Sequence, residues 1–296
     1  MTDHQPARHT MFRPPAEAES VLVRVADGCP HNACAFCAMY RGVPYRALDP
    51  AELVPVIDAA AKAWPDARRI FLADGDALAL PPATLDFVLD RLQQAFPRLA
   101  RVNCYASGQA LAASSDEKLT RLRAKGLHTL YLGLESGSEE VLRGMNKGCT
   151  AASMVAGGQR AKRAGLSVSV MILIGLGGRD LSEIHACQTA LAVNALQPPL
   201  LSCLRLVPVP GTPLARRIAS QSFRQLSEEE AARELRAILA ELHLSQTVFR
   251  ADHSSNILPL AGRLPRDKTR LLDELDELLD CKVLDQDGPG PLPCLL

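Results

Sequence analysis

The chain is predicted to be an α/β protein built on a parallel sheet. Two observations predict it. Six strand–helix units follow one another in strict alternation, the pattern of right-handed crossovers between parallel strands. The strand segments are also apolar nearly throughout, as expected where helices cover both faces of a sheet. Six units are too few for a closed eight-fold barrel, so an open sheet and a partial barrel both fit. In either, ligands gather at the carboxyl ends of the strands.

The units run in order. Residues 21–25 (VLVRV) form a short apolar strand, followed at once by GCPHNACAFCAMY, residues 28–40. Asp49-Pro50-Ala51-Glu52 is a capping box with Pro at the first helical position, opening a helix to about Ala63. Residues 69–73 are the second strand, ending in Asp74-Gly75-Asp76, and residues 84–96 an amphipathic helix with Leu85, Val88, Leu89 and Leu92 on one face. A third strand over 101–105 leads to a helix capped by Ser114 and Glu117. The fourth, 128–134, runs into Glu135-Ser136-Gly137-Ser138 and helical segments on either side of Asn146-Lys147-Gly148. The fifth, 166–174, ends in Gly175-Leu176-Gly177-Gly178, with a helix from Asp180, where Asp180 and Glu183 read as a capping box. Residues 200–207 are the sixth strand, and Ser227 with Glu230 caps a long helix ending near Ser245. Beyond it the pattern predicts an irregular stretch over 249–264, a charged helix over 267–280 and a loose GPGPLP tail.

Composition is that of an ordinary globular protein: 296 residues, 47 % apolar and 22 % charged. Lys+Arg and Asp+Glu are both 33, so nothing advertises a polyanionic partner and a long RNA or DNA substrate is disfavoured. Nine cysteines without framework-like spacing read as reduced thiols, and no apolar run approaches a membrane span. The polar first 18 residues lack the apolar centre of a signal peptide. The expected location is cytoplasmic.

Three cysteines, Cys29, Cys34 and Cys37, sit within nine residues at the end of the first strand. Thiolates so close suit a soft metal or an iron–sulfur cluster; structural zinc or a complete cubane takes four protein ligands, and the next cysteine is Cys104. Three thiols leave one iron of a cubane open. A zinc knuckle borrowing His31 and a structural disulfide pair are the alternatives.

With Phe36 between the last two cysteines and a strand before the loop, the motif resembles the radical S-adenosylmethionine (SAM) superfamily. That superfamily's usual spacing is three residues, then two; here the first gap is four, a CX4CX2C variant. The resemblance implies a partial (β/α)6 barrel with a short C-terminal extension. It implies a [4Fe–4S] cluster on Cys29, Cys34 and Cys37, and SAM as cosubstrate. Asp74, Gly75 and Asp76 take the place of the superfamily's glycine-and-acid motif that contacts the methionine amino group. The stretch 132–138 (LGLESGS), with Met145-Asn146-Lys147 after it, is similar to the fourth-strand signature of the branch containing elongator-type enzymes, methylthiotransferases and oxygen-independent coproporphyrinogen oxidases. It implies that Glu135 and Ser136 face the ribose; Ser136 and Ser138 read equally as helix caps. Ile174 and Gly175 match the motif that packs against adenine. Phe36 belongs to the same cofactor-binding set. An external electron donor such as flavodoxin or ferredoxin is implied as partner.

Three residues outside these motifs are substrate candidates. Arg205 in the apolar sixth strand must find a partner, whether a carboxylate of SAM or substrate in the lumen or an internal acid. Asp252 and His253 lie beyond the sixth unit, where segments close the barrel mouth in the superfamily. The expected organisation is a loose N-terminus over 1–18, a core over 19–246 and an extension over 247–296. The expected activity is that of an oxidoreductase or transferase on a small molecule. A metal or electron-transfer module without SAM chemistry, and an RNA-modifying enzyme, are the alternatives. In the longer cysteine gap, Asn32 is expected to absorb the extra residue in left-handed geometry, leaving His31 off the iron.

Overall fold

The computed structural model describes residues 10–291. Its main sheet has eight strands: β1 (Val21–Arg24), β4 (Arg69–Ala73), β5 (Arg101–Ala106), β6 (Leu127–Glu135), β7 (Ser167–Ile174), β8 (Leu200–Arg205), β9 (Thr247–Ala251) and β10 (Leu260–Leu264), in that spatial order. All neighbours pair in parallel except β9 with β10. The short strands β2 (Ala26–Asp27) and β3 (Arg46–Ala47) form a ribbon that brackets the cysteine loop. This is the mixed α/β, partial-barrel architecture expected, extended beyond six strands.

The extension is the main correction to the sequence reading. Residues 249–264 are irregular only over 252–259: β9 adds a seventh parallel strand against β8, and β10 turns back on it. The segment is short and interrupted by a polar turn, so its strand signal was weak; the free edge of β8 supplies the missing hydrogen bonds. The sheet therefore runs on past residue 246. Among the described residues no helix is long and apolar enough to cross a membrane.

Alternation divides the sheet into two faces. Ile70 and Leu72, Val102 and Cys104, Leu130, Leu132 and Leu134, and Val168, Val170 and Ile172 join one apolar core with helix residues such as Leu53, Ile57, Leu85, Val88 and Leu122. The positions between them carry Phe71, Tyr105 and Tyr131, whose rings meet edge-on with centroids 5.1–6.5 Å apart, and the polar Asn103, Thr129 and Ser169. The strands are thus less uniformly apolar than the sequence suggested. The amino end of this inner face is closed from below. Glu17, in the turn Pro15–Glu17, is 3 % exposed and accepts from Tyr131 Oη (2.5 Å) and Asn103 Nδ2 (2.8 Å). That part of the expected loose N-terminus is fixed; residues 1–9 lie outside the described residues.

The helices are α1 (Pro50–Ala63), α2 (Pro82–Ala95), α3 (Gly108–Ala113), α4 (Asp116–Ala124), α5 (Glu139–Gly144), α6 (Ala151–Arg163), α7 (Gly178–Leu196), α8 (Pro213–Ala219), α9 (Glu228–Glu241) and α10 (Lys268–Asp280). The capping boxes at Asp49 and Ser227 form as predicted. Three local expectations do not hold. Ser115, not Ser114, caps α4, because α3 precedes it and ends at Ser114. Helix α7 starts at Gly178, so Asp180 lies in its first turn and pairs with Arg224 instead of capping. Helix α9 stops at Glu241. The tail is also not loose over its described part. Glu228 N–H donates to the Gly288 carbonyl (3.0 Å), and Arg179 and Arg205 donate to the carbonyls of Asp287 and Pro289 (3.0 and 2.9 Å).

Candidate active site

The cysteine loop leaves β1 at its carboxyl end and is held in place by neighbouring strand ends. Gly28 has φ +72°, and a Cβ there would lie 2.9 Å from the Val43 carbonyl oxygen, so only glycine fits the turn. Asn32 has φ +40°, the left-handed geometry expected for the extra residue, and its amide donates to the carbonyls of Tyr40 (2.8 Å) and Val43 (3.2 Å). Ala35 N–H donates to Met145, and the Ala35 carbonyl accepts from Leu214 N–H. Asn146 Nδ2 donates to the Ala33 carbonyl (2.9 Å). The loop is thus clamped between the C-terminus of α5 and the start of α8.

Cys29, Cys34 and Cys37 are free thiols, part-buried and close enough to perturb one another. Burial pushes the Cys34 thiol up to about 12, with Lys147 pulling the other way, and raises Cys37 as well. Coordination reverses such a shift, because a bound cation stabilises the thiolate outright. His31 does not join them. Its Nε2 donates to the Asn146 carbonyl (2.6 Å) and its Nδ1 accepts from Gln109 Nε2 (3.1 Å), so both ring nitrogens are engaged. Among the described residues no three His, Cys, Asp or Glu side chains converge on a single metal ion; a cluster takes its thiolates at separate irons. Three soft thiols on one loop, with the nearby histidine turned away, fit a [4Fe–4S] cluster with one iron left open.

The strand end after β4 supports this loop directly. A Cβ on Gly75 would lie 2.4 Å from the Gly28 carbonyl oxygen and 2.7 Å from Cys29 Cα. The glycine is there because the cysteine loop packs against it. Asp74 and Asp76 are fully buried. Asp74 Oδ2 is 3.7 Å from Arg24 Nε. Burial pushes Asp76 up to about 6, with the Ser107 hydroxyl and the Ser107 and Ala79 amides acting in the opposite direction. What this strand end presents outward is the Gly75 backbone, not the carboxylates.

At the end of β6 the register shifts between Gly133 and Glu135, and Glu135 sits at φ +62°. Its carboxylate meets Lys147 Nζ at 2.9 Å, with the two side chains 12 % and 13 % exposed. Lys147 also lies 5.9 Å from the Phe36 ring centroid and within electrostatic reach of Cys34. Burial works to lower the Lys147 pKa; Glu135 and Cys34 outweigh it and hold the ammonium charged. Phe36 itself packs into a small apolar rim with Ala35, Val141, Met145 and Leu214. So Phe36, Glu135, Gly75 and the three cysteines share one region. Lys147 joins them, a residue that the sequence marks only as part of the Met145-Asn146-Lys147 signature.

The remaining candidates sit elsewhere. Ser136 is fully buried and donates to His185 Nδ1 (2.7 Å) while accepting from Ser138 N–H (2.9 Å). Ser138 caps α5. Ile174 is 2 % exposed and belongs to the main core, and Gly175 turns at φ +86° with its N–H donated to Glu234 Oε1 (2.6 Å). Among the described residues Arg205 forms no ion pair, although Glu228 lies within electrostatic reach. Its guanidinium donates to the carbonyls of Ser255 (2.7 Å), Pro289 (2.9 Å) and Pro291 (3.4 Å), pinning the tail. Backbone carbonyls supplied from 50 to 86 residues away were invisible in the sequence. Asp252 pairs with Arg250 on the surface, and His253 Nδ1 bonds the Ser255 hydroxyl (2.8 Å), both just past the carboxyl end of β9.

The sequence profile of the Radical SAM superfamily matches residues 23–189, more than half of the chain. The chain belongs to the radical SAM superfamily. No curated protein matches it. Among solved structures it is similar to methylornithine synthase PylB (19 % identity, TM-score 0.54, 76 % of this chain and 63 % of that one). It is similar to coproporphyrinogen III oxidase HemN of Escherichia coli (17 %, 0.57, 75 % and 51 %). A third is the archaeal Elp3 of Methanocaldococcus infernus (14 %, 0.53, 90 % and 64 %). The chain spans less than two thirds of each of these relatives, and at such identities the likeness is one of fold. Superfamily membership brings the [4Fe–4S] cluster and SAM with it.

Proposed function

We propose that this chain is a radical SAM enzyme acting on a small molecule, with its cluster on Cys29, Cys34 and Cys37. The observation that supports this best is the loop itself: three thiols at a strand's carboxyl end, seated on Gly75, with both His31 nitrogens taken by other partners. Bound together, reduced cluster and SAM supply a 5′-deoxyadenosyl radical that abstracts a hydrogen atom from substrate; that chemistry belongs to the cofactors. The chain's part is to bind, orient and shield. In this reading the Gly75 backbone accepts from the methionine ammonium, and Glu135 accepts from the ribose hydroxyls. Lys147 neutralises Glu135 and keeps it in place beside Phe36. The Gly175 turn borders the adenine, while the Ile174 side chain stays in the core beneath it. Asp252 and His253 stand on the substrate side, residues 19–246 form the catalytic core, and the extension from residue 247 continues its sheet through β9. An external flavodoxin or ferredoxin supplies the electron in the cytoplasm.

Zero net charge favours a small substrate over RNA. Anaerobic reconstitution is expected to load one [4Fe–4S] cluster per chain, and dithionite then to release 5′-deoxyadenosine from SAM. A chain that takes up zinc stoichiometrically and never cleaves SAM would sink this reading. Tight, salt-sensitive binding of tRNA would overturn the small-molecule preference.

A further inference from the structure

Two strand ends, 135–138 after β6 and 174–178 after β7, are the ones assigned above to the adenosine half of SAM. Beneath them lies a polar network enclosed in the protein. Ser136, His185 and Thr189 are fully buried, and Glu234 is 3 % exposed. The His185 ring reaches both strand ends at once. Its Nδ1 accepts from the Ser136 hydroxyl (2.7 Å), and its Nε2 donates to the Leu173 carbonyl (3.1 Å). Those two bonds are satisfied by a single neutral tautomer. Ser136 in turn accepts from Ser138 N–H, and Thr189 Oγ1 accepts from Gly137 N–H (2.9 Å). From α9, Glu234 accepts from Gly175 N–H (2.6 Å) through one oxygen and from the Ser182 hydroxyl through the other. Its Oε1 is 3.5 Å from His185 Nε2.

Such a group is costly to bury, and apolar packing at the same places would stabilise the fold more simply. What the polar arrangement adds is direction. The bonds to Ser136, Gly137 and Gly175 terminate on turns that carry a left-handed residue, Glu135 at φ +62° or Gly175 at φ +86°, and those to Leu173 and Ser182 tie the network to β7 and α7. Turns of that kind are held only when their surroundings over-determine them. The Gly137 position is equally constrained, since a Cβ there would lie 2.0 Å from the Gln188 carbonyl oxygen.

We propose that His185 and Glu234 are positioning residues that lock the β6 and β7 strand ends to each other, presenting a preformed seat for the adenosine part of SAM. The inference rests on the assignment of those strand ends made under Proposed function. Neither residue touches the ligand; both act through Ser136 and Gly175.

The test is SAM affinity, measured by equilibrium dialysis on the full, anaerobically reconstituted protein, alongside iron content. Glu234→Ala and His185→Leu are expected to weaken SAM binding at least tenfold with unchanged iron. Glu234→Gln, whose amide oxygen still accepts from Gly175 N–H, is expected to stay within about threefold of wild type. At saturating SAM, 5′-deoxyadenosine release by Glu234→Ala is expected within about threefold of wild type, so that KM moves and kcat does not. Wild-type affinity in Glu234→Ala, or equal losses in the Ala and Gln variants, would overturn the proposal. Amide exchange in the wild-type protein tests it without any variant. Peptides covering 135–138 and 174–178 are expected to be protected before SAM is added; exchange there that slows only on SAM addition overturns the preformed seat. Wild-type protein that loads its cluster but binds no SAM would overturn the assignment of the strand ends itself, a result distinct from unaltered variants.

Discussion

The Glu234–His185 contact makes a prediction about stability whose sign and size follow from the structure. Burial pushes Glu234 from 4.5 up to about 7, with the Ser182 hydroxyl and Gly175 amide opposing, and pushes His185 from 6.5 down to about 4. Between those limits both groups are neutral in the fold, so their 3.5 Å contact is not an ion pair. Glu234 binds its proton more tightly when folded; its contribution is fully present below pH 4.5 and is lost as pH rises to about 7. His185 is the mirror case: its contribution is present above pH 6.5 and is lost as pH falls toward 4. At about 1.4 kcal/mol per pH unit the two gradients cancel where they overlap. Glu234→Gln removes one of them. From pH 5.5 to 7 the variant's stability relative to wild type should therefore rise by about 2 kcal/mol, several degrees in melting temperature for a chain of this size. Anaerobic thermal melts of both proteins, differenced at each pH so that contributions from the cysteine loop cancel, give the measurement. A difference that stays flat with pH would show that Glu234 ionises in the fold as it does in water, and one that falls would show that the fold favours its carboxylate; either refutes the reasoning.

Two further expectations concern the cysteine loop. Gly75→Ala places a methyl against the Gly28 carbonyl and Cys29 Cα, so it should cost about 1–3 kcal/mol and lower iron loading; full loading at wild-type stability would show that the loop yields freely. His31→Ala loses two hydrogen bonds, one donated to the Asn146 carbonyl and one accepted from Gln109, for about 1–3 kcal/mol of stability, yet should keep the cluster's absorbance and SAM cleavage. Any single Cys→Ala at Cys29, Cys34 or Cys37 should lose both, and loss of iron in His31→Ala would instead make His31 a ligand.

The local features were legible in the sequence because each is made by residues near one another in the chain. The capping boxes at Asp49 and Ser227, the alternation of strands and helices, the three-thiol loop and the left-handed Asn32 are all of this kind. Even Lys147 stood in the quoted signature, within 12 residues of the Glu135 it pairs with. A glutamate among Ala231, Leu235 and Ile238 on the buried face of a helix was also a readable anomaly at Glu234. What the anomaly was for could not be read. Its partner, Gly175 N–H, lies 59 residues away, and the Ser136–His185 bond spans 49. The same distance hid the role of Gly75, which accommodates the Cys29 backbone from another strand, and of Arg205, which anchors the tail. The strands over 247–264 were missed for a related reason. Five-residue segments carry little strand signal of their own, and β9 is a strand because the edge of β8 offers it hydrogen bonds. Local propensity and spacing depend on a few neighbouring residues, whereas buried polar groups find their partners only when the barrel brings distant strand ends together.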